Sequence, residues 1–188
     1  MPNRPASLFS AGPLALIGLI AAVALTRLIP HPPNFSPVEA MALFGGAYLA
    51  KRSWAVLVPL IALFISDLAL GLLMGGEYFQ YFVSAGFLLV YLTIAVLSVL
   101  GFGLRGKVSV ARVAGYGVAG SILFFLTTNF GVWLGSAFYP QTASGLMAAY
   151  AAGVPFLQNG ILGTLFYSVL LFGTYELLKQ RIPALAQG

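Results

Sequence analysis

Residues 30–53 read PHPPNFSPVEAMALFGGAYLAKRS, and the order of the parts in this stretch sets the plan of the whole chain. Pro30-His31-Pro32-Pro33 lacks three of its four backbone N–H donors, so it closes the preceding apolar run with an extended loop. Ser36-Pro37-Val38-Glu39 has the form of a helix start, with Ser as N-cap, Pro at the first helical position and Glu at the third. The apolar run 37–50 then stops at Lys51-Arg52. A polar, proline-rich loop stands at one end of this run and a basic pair at the other, as in a membrane-crossing segment with two unlike ends. The run is short, about 14 residues against the roughly 20 that a spanning helix needs.

The composition agrees with that plan. Of the 188 residues, 60% are hydrophobic and only 7% charged, and the mean hydropathy is +0.98. A soluble domain carries about 25% charged residues, so this chain lacks the polar surface to cover a water-soluble globule. Lipid is its expected solvent, and an all-α integral membrane protein with a single membrane domain, 1–188, is the expected fold class. The net charge of +5 comes from basic residues standing singly or in pairs beside apolar runs. That pattern marks topology and contacts with anionic lipid, and it argues against a nucleic-acid surface. With no cysteine and a single histidine, His31, the chain offers neither a disulfide framework nor a multi-histidine zinc cluster. No metal and no cofactor are expected.

Six apolar runs are predicted as transmembrane helices: 11–29, 37–50, 54–74, 79–102, 113–134 and 154–178. The first follows Arg4 and ends near Ala22-Val23-Ala24, with a faint likeness to a signal peptide. Removing it spoils the charge alternation, so it counts as a span. A segment of small residues, 143–153, reads as a short helix lying at the interface. In this arrangement Arg4, Lys51, Arg52, Arg105, Lys107, Arg112, Lys179 and Arg181 fall on one side, and Arg27 alone among the Lys and Arg residues falls on the other. Every loop is short, so the positive-inside rule applies and puts both termini in the cytoplasm. Five spans would scatter the basic residues over both sides.

The opposite ends collect most of the other polar groups. Arg27, His31, Asn34, Glu39, Asp67, Glu77, Asn129, Gln158 and Asn159 lie at or near them. Asp67 is deep in its span, where a carboxylate costs about 2.5–3.5 kcal/mol on insertion scales and so should face the bundle and find a partner. Glu39 stands in the first turn of its helix, where the dipole favours an anion. Thr127 and Thr128 precede Asn129. The set reads either as a packing network pinned by Arg27 with Asp67 or Glu39, or as a ligand basin. Amides alongside charges exceed what one salt bridge requires, which favours the basin. Phe35, Tyr78, Tyr81, Trp133 and Tyr139 stand at the same level as candidate walls or interfacial anchors. Small residues form two stripes: Ala11, Ala15, Gly18 and Ala22, and Ala111, Gly115 and Ala119. Such stripes serve close helix packing or, on the first span, docking onto a membrane partner.

Enzymatic signatures are missing. There is no glycine-rich loop followed by Lys-Ser/Thr to hold a nucleotide and no His-Glu-x-x-His. A serine intramembrane protease needs a histidine near its nucleophile, and an aspartyl protease needs two deep carboxylates.

The segment from His31 to Tyr48, HPPNFSPVEAMALFGGAY, resembles the signature of a family of small bacterial membrane proteins of unassigned function grouped with transport proteins. Residues 59–71 and 124–134 are similar to two further blocks of that family. The family in turn resembles the S components of energy-coupling factor (ECF) transporters, six-helix proteins of the bacterial inner (plasma) membrane. S components capture vitamins at their extracellular face, and a small-residue motif on their first helix contacts a coupling subunit that binds two ATPases. By position, Ala11, Ala15, Gly18 and Ala22 match that partner-contact face. Solitary cobalamin transporters are a candidate relative. Some of them ligate cobalt through a cysteine, which this chain lacks, leaving only His31 to offer a nitrogen.

The leading expectation is therefore an S-component-like uptake protein that binds a vitamin or cofactor precursor near its outer face and moves it inward. Arg27, His31, Asn34, Phe35, Glu39, Asp67, Asn129, Trp133, Gln158 and Asn159 are its expected substrate-binding residues, with Phe35 and Trp133 as stacking walls. Two other classes stay open: a proton- or ion-coupled secondary carrier using Asp67, and a non-transporting scaffold of a cell-envelope complex. Inverted repeats would favour the carrier, and none is visible.

Overall fold

The computed structural model describes residues 10–82, 84–135, 137–182 and 185, without the side chains of residues 77 and 81. The expectations for Arg4 and for the side chains of Glu77 and Tyr81 lie outside the described residues. The described chain is entirely helical between its turns. Helix α1, Ala11–Leu25, ends in a 3₁₀ turn at Thr26–Leu28, and α2 follows at Val38–Tyr48. Then come α3, Arg52–Met74, the single short turns of α4, Gly76–Tyr81, and α5, Ala85–Leu100, which tightens into 3₁₀ at Gly101–Leu104. Helix α6 spans Val110–Gly135 and α7 spans Ala143–Ser168. A π-helical stretch, Val169–Gly173, joins α7 to α8, Thr174–Arg181.

Among the described residues, five helical segments are long and apolar enough to cross a membrane: Ala11–Leu28, Arg52–Met74, Ala85–Leu104, Val110–Gly135 and Ala143–Arg181. Large apolar side chains such as Leu72, Phe138 and Val169 face outward, which suits lipid and not water. The chain is a multi-pass membrane protein. Helix α2 departs from the expected second span. Its 11 residues rise only about 16 Å, roughly half the hydrocarbon thickness. Ten of them are buried, which explains why this run is apolar on every side. It is the central post of the bundle, a half-length helix reached by a loop that lies along α7.

Three further expectations are corrected. Residues 143–153 are the first turns of α7, continuous with the last span, and not a separate interfacial helix. Their Ala and Gly content left no apolar periodicity to join them to the span. The fourth run is broken, with α4 separate from α5 and Ser84 capping α5 by accepting from the Phe87 N–H at 3.1 Å. The helix starts one residue later than expected, with Pro37 at the N-cap and no side-chain cap, and the Glu39 carboxylate turns inward instead of closing a capping box. Burial among hydroxyl donors outcompetes the local bond.

Arg52, Arg105, Arg112 and Lys179 make their contacts at one end of the bundle, away from Arg27. The Arg105 guanidinium donates to the carbonyls of Gly46 (2.8 Å), Leu49 (2.8 Å) and Ala50 (3.2 Å), closing the open C-terminus of α2. Arg52 and Arg105 both stand over the Phe102 ring, and Arg112 donates to the Gly103 carbonyl at 2.9 Å. Lys179 sits over the rings of Tyr48 and Tyr175 and pairs with Glu176 at 2.7 Å. Glu176, the acid without an expected role, also accepts from the Tyr48 hydroxyl. Helices α2 and α5 touch backbone to backbone here. A Cβ added at Gly101 would lie 2.6 Å from the Leu43 carbonyl, and one at Gly46 would collide with the Ser98 carbonyl.

Candidate functional site: a cavity at the end opposite the basic cluster

At the other end the helices stand apart around a cavity of about 980 Å³. The loop after α1 forms one lip. Asn34 takes a positive φ of 62° in it, a conformation Asn tolerates better than most side chains. The Phe35 N–H donates to the Pro32 carbonyl at 3.0 Å. The loop then runs down α7, where Asn159 donates to the Pro33 carbonyl at 2.9 Å and Phe35 packs on Phe166 and Tyr167 at 5.6 and 6.0 Å between ring centroids. Gly163 lets it pass, since a Cβ there would lie 2.8 Å from the Ser36 nitrogen. The loop thus delivers the start of α2, with Glu39, deep into the bundle.

Two polar clusters face the cavity. In the first, the Arg27 guanidinium pairs with Asp67 Oδ1 at 2.6 Å and also donates to Ser66 Oγ and the Leu63 carbonyl. Tyr78 donates to Asp67 Oδ1 at 3.0 Å and Tyr91 to Oδ2 at 2.7 Å. Burial, then the charge of Asp67, pushes the Tyr78 hydroxyl on α4 up to about 12, so it remains a donor at any physiological pH. Asp67 therefore has a cation and two hydroxyls, a complete set for a buried carboxylate. In the second cluster, Glu39 Oε2 accepts from Ser121 Oγ at 2.8 Å and from Thr164 Oγ1. Among the described residues it makes no ion pair.

Of the ten residues expected to bind substrate, six line this one cavity: Arg27, His31, Asn34, Glu39, Asp67 and Asn129. Asn129 spends its amide donor on the Phe125 carbonyl of its own helix at 2.9 Å. The other four lie elsewhere. Phe35 is packed toward the core, and Asn159 fastens the loop. Trp133 Nε1 donates to the Pro140 carbonyl at 3.0 Å, holding the turn between α6 and α7, so neither expected stacking wall lines the cavity. Gln158 is exposed; α7 turns it away from the cavity that its neighbour Leu157 lines. The walls include Phe124, Phe125 and Tyr139 instead.

Sequence reasoning missed Ser66, Tyr91, Ser121 and Thr164. Hydroxyls inside apolar helices mostly bond back to their own backbone. Thr93, Ser98, Thr127 and Thr128 do so here, each with the carbonyl four residues earlier. Nothing in the sequence separates those from the hydroxyls that serve a carboxylate.

The small-residue stripe of α1 faces outward. Ala11, Gly18 and Ala22 are exposed and Ala15 partly so, while Leu16, Ile20 and Val23 turn to the core. A Cβ added at Gly18 would meet nothing within 4 Å. Ala111, Gly115 and Ala119 of α6 are exposed in the same way.

Fold and cavity together define a polytopic helical membrane protein with a largely apolar chamber, bearing two polar clusters, set into one end of the bundle. Residues 9–185 match the model of a family of unknown function, DUF6580, and the chain belongs to that family. No curated protein and no solved structure matches the chain.

Proposed function

We propose that this protein captures a small, vitamin-like solute in the cavity and moves it across the bacterial inner membrane. The observation that carries the reading is the cavity itself. Its volume of about 980 Å³ lies at the upper end of the roughly 300–1,000 Å³ typical of small-molecule sites, and polar side chains from the 3₁₀ turn after α1 and from α2, α3 and α6 meet on its wall. A packing network alone needs no such room.

The basic end faces the cytoplasm in this reading, by the positive-inside rule, and the cavity opens outward. The chain then crosses six times, with α2 and its long loop together making one crossing and both termini inside. The outward stripe Ala11, Ala15, Gly18 and Ala22 is the face for an ECF-type coupling subunit and its ATPases, and membrane lipid covers the remainder. The S-component likeness rests on this layout of an outer cavity and a free small-residue face on the first helix. In the carrier alternative Asp67 is the titrating group, and its saturation by Arg27, Tyr78 and Tyr91 speaks against that role. The scaffold alternative gives the cavity nothing to do.

Native mass spectrometry of the protein purified from its own membranes tests the proposal. A retained non-lipid metabolite is the expected result. Protein that carries only phospholipid, whatever the detergent, contradicts it.

A further inference from the structure

The two carboxylates on the cavity wall are provided for unequally, and the difference bears on what the cavity takes. Both oxygens of Asp67 have donors, and one of the donors is the Arg27 cation. Glu39 has hydroxyl donors only, and both reach the same oxygen, Oε2. One of them is shared. Ser121 has a single hydroxyl proton, and its Oγ also stands 3.1 Å from Thr164 Oγ1. Glu39 is 7% exposed, yet it lines the cavity. A carboxylate taken out of water without a cation is costly to keep ionised, and a cation arriving in the cavity removes that cost.

The fixed charges on the wall point the same way. Arg27 and Asp67 cancel, and among the described residues no Lys or second Arg lines the cavity, so with Glu39 ionised and His31 neutral those wall residues sum to −1. The excess is not at the mouth. Ser121 and Thr164, which fix Glu39, stand near the middles of the α6 and α7–α8 spans, well below the loop that holds His31. One turn from them toward the mouth stand Phe124 on α6 and Gly160 on α7, both on the wall. An aromatic side chain and a glycine on the wall one turn from the groups that hold a carboxylate without a cation suit an organic cation, because a ring in reach adds cation–π attraction to an ion pair.

We infer that the captured solute carries a basic or permanently cationic nitrogen, an ammonium or an N-heterocyclic cation, seated on Glu39 with its apolar body against Phe124. The inference rests on the capture reading and deepens it. Arg27 and Asp67 serve as a neutral strut beside this seat, and Ser121 and Thr164 hold the carboxylate in place.

Three probes with one indole body separate the charge requirement from shape: tryptamine, tryptophol and indole-3-propionate. Calorimetry on the purified full chain is expected to rank tryptamine about tenfold tighter than tryptophol, with indole-3-propionate weakest. In Glu39→Gln the tryptamine advantage should fall to about twofold or less. If that variant does not fold, the ranking on the unaltered chain decides. Equal binding of tryptamine and tryptophol, preference for the carboxylate, or no binding by any probe overturns the inference. So does sodium chloride protecting the protein from heat as well as tryptamine does, which makes Glu39 an inorganic-ion seat. A retained metabolite without a basic nitrogen ends the cation seat and leaves capture standing. A protein that retains no metabolite and binds no probe ends both.

Discussion

The two ends of α2 belong to regions built on opposite terms. At its C-terminal end the helix meets α5 backbone to backbone across Gly46 and Gly101, and Arg105 covers its last carbonyls. At its N-terminal end Glu39 looks into about 980 Å³ of space. The closed end leaves no room for a methyl group, while the open end sets two bonded polar clusters around empty space. The lesson is that a half-length helix serves this chain better than a full one. A helix extended through the upper half of the bundle would fill the chamber, whereas the loop 29–37 goes around it. Substitutions at the closed end should therefore register as lost stability, and those at the open end as lost binding.

The strongest test of that division is the one place where the two outcomes mix, the Arg27–Asp67 strut. Arg27→Met leaves Asp67 buried without its cation and should cost about 3–5 kcal/mol of stability, read as a drop in thermal midpoint in detergent. Arg27→Met combined with Asp67→Leu should recover most of the loss. A silent single variant would mean that water in the cavity already screens the pair. Next in size, Gly46→Ala should cost about 1–3 kcal/mol because neither backbone can yield. Gly18→Ala on the outward stripe should raise stability by up to about 1 kcal/mol through helix propensity alone. If the two glycine variants behave alike, the closed end is not closed. Tyr91→Phe removes one of two hydroxyl donors to Asp67 and should cost about 1 kcal/mol, measured by the same melts. Smallest of all, Gln158→Ala should change neither the midpoint nor ligand retention.

Much of this was legible in the sequence, for identifiable reasons. A charge inside an apolar chain is rare enough to be informative, so Arg27, Glu39 and Asp67 pointed to the cavity from composition and spacing. The proline run at 30–33 announced the loop, but its path along α7 depends on Gly163, and nothing local marks a glycine as a passage. The short second run warned of an unusual helix. Its apolar residues read equally well as facing lipid or facing other helices, so central burial of α2 was not deducible. Phe35, Trp133 and Asn159 had the right types at the right level but do not line the cavity, because level in the bundle does not fix the direction in which a side chain points. Ser121 and Thr164 escaped because isolated hydroxyls in apolar helices carry no sign of which partner they choose.

Residues 157 and 158 are neighbours on α7, Leu157 on the cavity wall and Gln158 exposed. Native mass spectrometry of Leu157→Trp and Gln158→Trp, each purified from the membranes in which the protein is native, therefore separates the cavity from the rest of the surface. The account predicts that the unaltered chain and Gln158→Trp retain the same small molecule, and that Leu157→Trp, with an indole in the chamber, loses it. Retention by Leu157→Trp at the level of the unaltered chain would place the ligand outside the cavity and contradict the account.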